Sequence, residues 1–308
     1  TTNNTPTVTI TAPDNPSSGG TSYTGYNFTT NPPPSGTSFG LPGSIVKITS
    51  TSIGGSGLTG AQRVSDTATF QGTFTSNGIT YPILNLNIPS LGFTASNVRG
   101  DGTSAATNNG GTVSAAVATL SYTVLGAWTY TPAGGGTAYL GQTATGFLTP
   151  DSGIPTSGSA TYVGNGTGTG GVVGAYAVNT SSGVQAGTLS GNISVTANFG
   201  PNTIGGTMTN MTATPSGSST STPWNNVTLT GTISNPSPSK NNASGTTTAL
   251  VAPSGAGSAA FTTAAQGQFA GSFYGPNAQE FGATWTLFEP TAGGKTAFGT
   301  IAATTTTP

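Results

Sequence analysis

The chain has 308 residues with five Lys or Arg against six Asp or Glu, and neither histidine nor cysteine. Charged residues make up 4% of it, against about 25% in ordinary soluble proteins, so no basic patch exists to hold nucleic acid or an anionic membrane surface. Zinc held by Cys or His, thiol or histidine catalysis, histidine-ligated haem and disulfides are excluded within the chain. No apolar run approaches the ~20 residues that a spanning helix needs. The chain opens at Thr1 without a leader and is read as a mature, exported form from which a signal peptide has been removed.

With 49 glycines, 21 prolines and long Ser/Thr/Asn tracts, disorder is the first alternative. Periodicity argues against it: short alternating apolar segments interrupt the low-complexity stretches, and good helix formers are scarce. The expectation is an all-β protein. Residues 1–22 read as an extended N-terminal segment and linker, with one strand between Pro6 and Pro13 that puts Val8, Ile10 and Ala12 on one face. Residues 23–124 hold irregularly spaced strands, the clearest at 44–48, 67–74, 81–88 and 112–124, separated by long Gly/Ser/Thr loops. From about 125 the spacing becomes regular. Trp128, residues 143–148 and the strand of Ala160 and Tyr162 are followed by a hairpin that turns at Gly200-Pro201-Asn202. Two more strands, at 227–233 and 246–251, lead to the last hairpin. About eight strands in sequential hairpins predict an up-and-down antiparallel barrel over residues 125–308.

The last hairpin carries the most information. Phe269 and Phe273 flank Gly271 at period-two spacing, Tyr274-Gly275-Pro276-Asn277 punctuates, and Phe281, Ala283 and Trp285 resume the alternation after Glu280. Large aromatics set against small glycines suit a tightly curved sheet. This pattern, followed by Ala297-Phe298-Gly299, resembles the closing hairpin of the C-terminal β-barrel of bacterial transferrin-binding surface proteins and their relatives. The segment from Trp128 to Gly164 resembles that barrel's entry, and Ser194 to Thr207 its central hairpin. The resemblance implies an eight-stranded barrel preceded by a β-rich, handle-like domain. It also implies that Gly271, Phe273, Tyr274, Gly275, Pro276, Glu280 and Trp285 form a structural, barrel-closing motif, with Glu280 accepting backbone hydrogen bonds in the turn.

The remaining motifs support no catalysis. Asp151-Ser152-Gly153 copies the triplet of aspartic proteases, but its only mate, Asp66-Thr67-Ala68, lacks the glycine, so a capped turn is the better reading. Glu280 and Glu289 flank a strand of about six residues, too long for a glycosidase pair. Arg99-Gly100-Asp101 matches an integrin-recognition tripeptide and reads better as an exposed turn. Asp101 by itself cannot hold calcium. Trp128, Trp224 and Trp285 are assigned to the barrel core. No catalytic residue, metal site or cofactor is expected.

Two functions lead, ahead of a third, a secreted adhesin or carbohydrate binder working through the loops of residues 50–120, where no tryptophan lies. The first, and the favoured one, is a self-assembling extracellular subunit of a filament, fibre or surface layer. Near-absence of charge removes repulsion between copies, and the strand of Val8, Ile10 and Ala12 is available to pair with a neighbour's sheet edge. The second follows from the resemblance: a cell-surface or secreted protein that captures a host protein or an iron carrier. Relatives in that family are lysine-rich lipoproteins tethered through an N-terminal cysteine, and this chain departs from both features.

Overall fold

The computed structural model describes residues 10–11, 27–28, 45–50, 58–64, 67–76, 79–134, 139–166, 169–180, 183–234, 241–289 and 295–306. Alternating small polar and apolar residues become strands throughout, and no α-helix forms among the described residues. At the N-terminus β1 (Ile10–Thr11) pairs with β2 (Asn27–Phe28) in a ribbon of its own, Ile10 opposite Phe28. Val8 and Ala12 lie outside the described residues.

The next nine strands make a sandwich. They are β3 (Ile45–Ser50), β4 (Leu58–Val64), β5 (Thr67–Ser76), β6 (Ile79–Ile88), β7 (Phe93–Arg99), β8 (Ala105–Ala106), β9 (Thr112–Thr119), β10 (Thr123–Thr131) and β11 (Tyr139–Gly146). One sheet runs β4-β3-β11-β10-β9-β8 and the other β5-β6-β7. Their facing sides bury Leu84, Val98, Val113, Val124, Trp128 and Tyr130. Phe93 stacks on Tyr130 at 4.1 Å and meets Trp128 edge-on at 5.9 Å. Trp128 is therefore a core residue of the sandwich, not of the barrel. The expected boundary between residues 124 and 125 falls inside β10, because Trp128 and its alternating neighbours pair with β9 and β11.

The barrel follows. Its strands are β12 (Ser159–Gly164), β13 (Gly170–Thr180), β14 (Gly183–Asn198), β15 (Thr203–Pro215), β16 (Thr222–Pro223), β17 (Val227–Ile233), β18 (Ala243–Ala249), β19 (Gln266–Tyr274), β20 (Glu280–Glu289) and β21 (Lys295–Thr305). Eight of them close antiparallel in the order β13-β14-β15-β17-β18-β19-β20-β21, and β21 returns to β13. β12 occupies the same slot as β13, between β14 and β21, so the two act as one interrupted strand. β14, at 16 residues, serves both, with a bulge at Ser190/Asn192; a bulge sharpens the local bend. β16 adds a short edge to β15. Closure leaves no free edge in the ring of eight, and hydrophobic residues of every strand in it fill the interior.

Four buried aromatics each face a glycine directly across a strand pair: Trp128 and Gly141, Tyr176 and Gly187, Phe269 and Gly245, Trp285 and Gly299. A Cβ at Gly141 would lie 2.0 Å from the Trp128 ring, and one at Gly245 would lie 2.7 Å from that of Phe269. The ring thus lies flat over bare backbone, and a curved sheet with a narrow interior accommodates large side chains. Gly245→Ala should lower stability by about 1–3 kcal/mol through overpacking. Gly200→Ala, where nothing lies within 4 Å, should stay within about 0.5 kcal/mol of wild type. Paired denaturant melts test this, and equal effects at the two sites would refute the packing argument.

Candidate functional site

The closing hairpin converges on the place where sandwich meets barrel. Along β20, Phe281, Ala283, Trp285 and Leu287 point into the barrel core, so Glu280, Gly282, Thr284 and Thr286 point outward by strand alternation. Outward does not mean exposed here: Glu280 and Thr284 are buried. The outer face of β20 and β21 is covered by the six-stranded sheet. Leu125 and Ala144 pack on Ala302, and a Cβ at Gly282 would meet Thr123 Cγ2 at 2.7 Å.

Glu280 is the polar centre of this contact. Its Oε1 accepts the Ser121 N–H at 2.9 Å, and its Oε2 accepts those of Tyr122 at 3.0 Å and Thr123 at 2.8 Å. The donors come from the turn that opens β10, not from the hairpin's own turn as the resemblance implied. Burial raises the Glu280 carboxyl above its ordinary range, and the amide donors offset that only in part. Tyr274, its register partner across the hairpin, is held well above the ordinary phenol range by burial and by the neighbouring Glu280 charge.

The other motif residues complete the junction. Gly275 has φ +85°, and a Cβ there would lie 2.4 Å from Gln279 Oε1 and 2.8 Å from the Tyr122 ring; only glycine meets both demands. Thr149 donates through its backbone N–H to the Phe273 carbonyl and through Oγ1 to that of Gly275, at 3.0 and 2.7 Å. The Asn241 Nδ2 donates to the carbonyls of Thr149 and Phe273, and its Oδ1 accepts the Phe273 N–H. The Pro276 carbonyl would lie 2.1 Å from a Cβ at Gly153, and Gly271 abuts Ala283. Phe273 and Trp285 are fully buried, and Trp285 sits 6.4 Å from Trp224. Sequence reasoning missed Asn241 and Thr149. Nothing in a polar, low-complexity tract marks the one amide or hydroxyl that will be buried.

No other expected chemistry is assembled. Glu280 and Glu289 are the two ends of β20, nine residues apart on opposite faces and roughly 30 Å from each other. Glu289 accepts the N–H and Oγ1–H of Thr262, in the loop that covers one barrel end, at 2.9 and 3.1 Å. Asp151 is exposed, and Asp66 lies outside the described residues. Arg99 lies over the Phe74 ring at 4.6 Å, and the Gly100 N–H bonds the Pro82 carbonyl, so the tripeptide is tied to the sandwich. Among the described residues no group of three or more Asp or Glu side chains gathers to hold a metal.

Residues 154–305 match the family described as the C-lobe and N-lobe beta barrels of Tf-binding protein B. The barrel is thus of a transferrin-binding-protein-B-like kind. Among solved structures, a point variant of transferrin-binding protein B from Haemophilus parasuis Hp5 is similar at 14% identity and TM-score 0.45, over 86% of this chain and 45% of that one. The isotype 1 protein from serogroup B Neisseria meningitidis is similar at 17% identity and TM-score 0.42, over 86% and 44%. This chain thus spans less than half the length of those proteins. A comparison with curated proteins returned no match.

Glu280→Leu should cost about 3 kcal/mol, because three buried N–H groups lose their acceptor. Since the folded state raises the Glu280 pKa, it binds the proton more readily than the unfolded chain. The linked stability is fully present below the ordinary value of 4.5 that the unfolded chain keeps, and is lost as pH rises through the folded pKa. Wild type should therefore gain stability over Glu280→Gln as pH falls toward 4.5. Denaturant midpoints across that range would show the opposite slope if amide donation outweighed burial.

Proposed function

We propose that this chain is a non-enzymatic, surface-exposed or secreted binding protein that captures a partner protein, with a transferrin or another iron-carrying host protein as the first candidate. The observation that carries the reading is the barrel of the Tf-binding protein B family over residues 154–305, anchored to a preceding sandwich through Glu280. A filament built by strand donation gains no support: Ile10, the described member of the expected assembly strand, pairs with Phe28 of its own chain, and no comparison points to a polymer.

Recognition by this chain would rest on shape and neutral hydrogen bonding. Between Ser152 and Gln279 the sequence carries a single charge, Lys240, so most of the barrel wall exerts no steering field on a charged partner. Immobilised protein should bind apo- or iron-loaded transferrin saturably and serum albumin not at all. The affinity should change less than about threefold between 50 and 500 mM salt, because screening has little charge to act on. Failure of both transferrin forms to exceed the albumin signal would overturn the transferrin assignment, and a steep salt dependence would overturn the neutral-surface argument.

A further inference from the structure

The six-stranded sheet covers only part of the barrel wall. Beside the Glu280 contact the two surfaces diverge into a seam that holds three neighbouring cavities of about 460, 230 and 750 Å³. Val173, on the outer face of β13 and 47% exposed, borders all three. Leu125 and Ala127 supply apolar wall from the sandwich side, and no lining residue of any of the three is charged. The size and the mostly apolar lining are those of a small-molecule site.

Two buried polar side chains border the seam without hydrogen-bond partners. Gln142, 7% exposed, lines the largest and the smallest of the cavities from β11, and its Oε1 accepts no hydrogen bond. Thr300, fully buried, lines the smallest cavity from β21 beside its register partner Val173, and its Oγ1 is likewise unpaired. Buried carboxamides and hydroxyls are ordinarily satisfied. An unpaired acceptor and an unpaired hydroxyl at one apolar seam suit a ligand that brings its own neutral donor.

We propose that this seam is a binding site for a small neutral aliphatic molecule with an N–H or O–H donor at its head, an amide or an alcohol. The aliphatic body lies along Val173, Leu125 and Ala127, and the head donates to Gln142 Oε1 and exchanges a hydrogen bond with Thr300 Oγ1. Charged analogues are excluded because the walls offer no counter-charge to an ion leaving water. The proposal uses none of the observations behind the protein-capture reading, so it stands or falls independently of that reading.

Octanamide, octanoate and octylammonium titrated into the intact chain at pH 7.5, followed by amide-resolved NMR and calorimetry, test the proposal. Octanamide should shift the resonances of Val173, Gln142 and Thr300 saturably, and the two ions should bind at least about tenfold more weakly. Gln142→Leu keeps the aliphatic bulk and should weaken octanamide about tenfold, the worth of one buried hydrogen bond. Val173→Trp fills the seam from a half-exposed position and should abolish the shifts with the melting temperature unchanged. Equal affinity for all three probes, indifference to both substitutions, or no saturable shift in the wild type would each overturn the assignment.

Discussion

One buried carboxylate sets the arrangement of this protein. Glu280 points away from the barrel core, where a strand residue would ordinarily meet water, and instead ends against three backbone N–H groups of the Ser121-Tyr122-Thr123 turn. A buried carboxylate is costly unless its lone pairs are occupied, and buried N–H groups are costly unless accepted. Each side therefore satisfies the other only when the sandwich is seated on β20 and β21. The packing of Leu125 and Ala144 on Ala302 follows from that seating. So does the division of the barrel wall into a covered part, a seam and an open remainder.

Inside each unit the recurring device is the aromatic ring laid across a glycine on the adjacent strand. Barrels of about 16–18 strands, such as porins, gain interior room by adding strands, but a barrel of eight is narrow and is filled by its own side chains. Tyr176, Phe269 and Trp285 each face a glycine across the strand pair. The sandwich repeats the arrangement with Trp128 over Gly141. The abundance of glycine thus has a packing cause in addition to its use in turns, and it explains how a chain so poor in large hydrophobics builds two filled cores.

Charge is almost absent from the surface that remains open, and the few ionic groups among the described residues are largely committed to structure. Glu280 holds the junction, Glu289 fixes the loop that covers one barrel end, and Arg99 lies on Phe74. The proposed partner would then be met by hydroxyls, amides and small apolar groups, whose hydrogen bonds depend little on ionic strength. Binding at such a surface would tolerate changes in salt and would rely on fit for its selectivity.

The all-β class, the closed antiparallel barrel, the turn at Gly200-Pro201-Asn202 and the kinship of the closing hairpin were all legible in the sequence. All of these rest on local alternation, punctuation and a run of contiguous residues such as Phe273 to Glu280. The sequence also made plain that catalysis by thiol or imidazole has no residues to work with. Tertiary structure alone decided which sheet Trp128 enters, since alternation marks a buried face without saying what lies opposite. It decided too that the amides held by Glu280 belong to residues more than 150 positions away, which no local pattern encodes. For the same reason Asn241, Thr149, Gln142 and Thr300 were indistinguishable from their polar neighbours in the sequence. A side chain's hydrogen-bonding role is fixed by burial, and burial here is created when one curved sheet is laid on another.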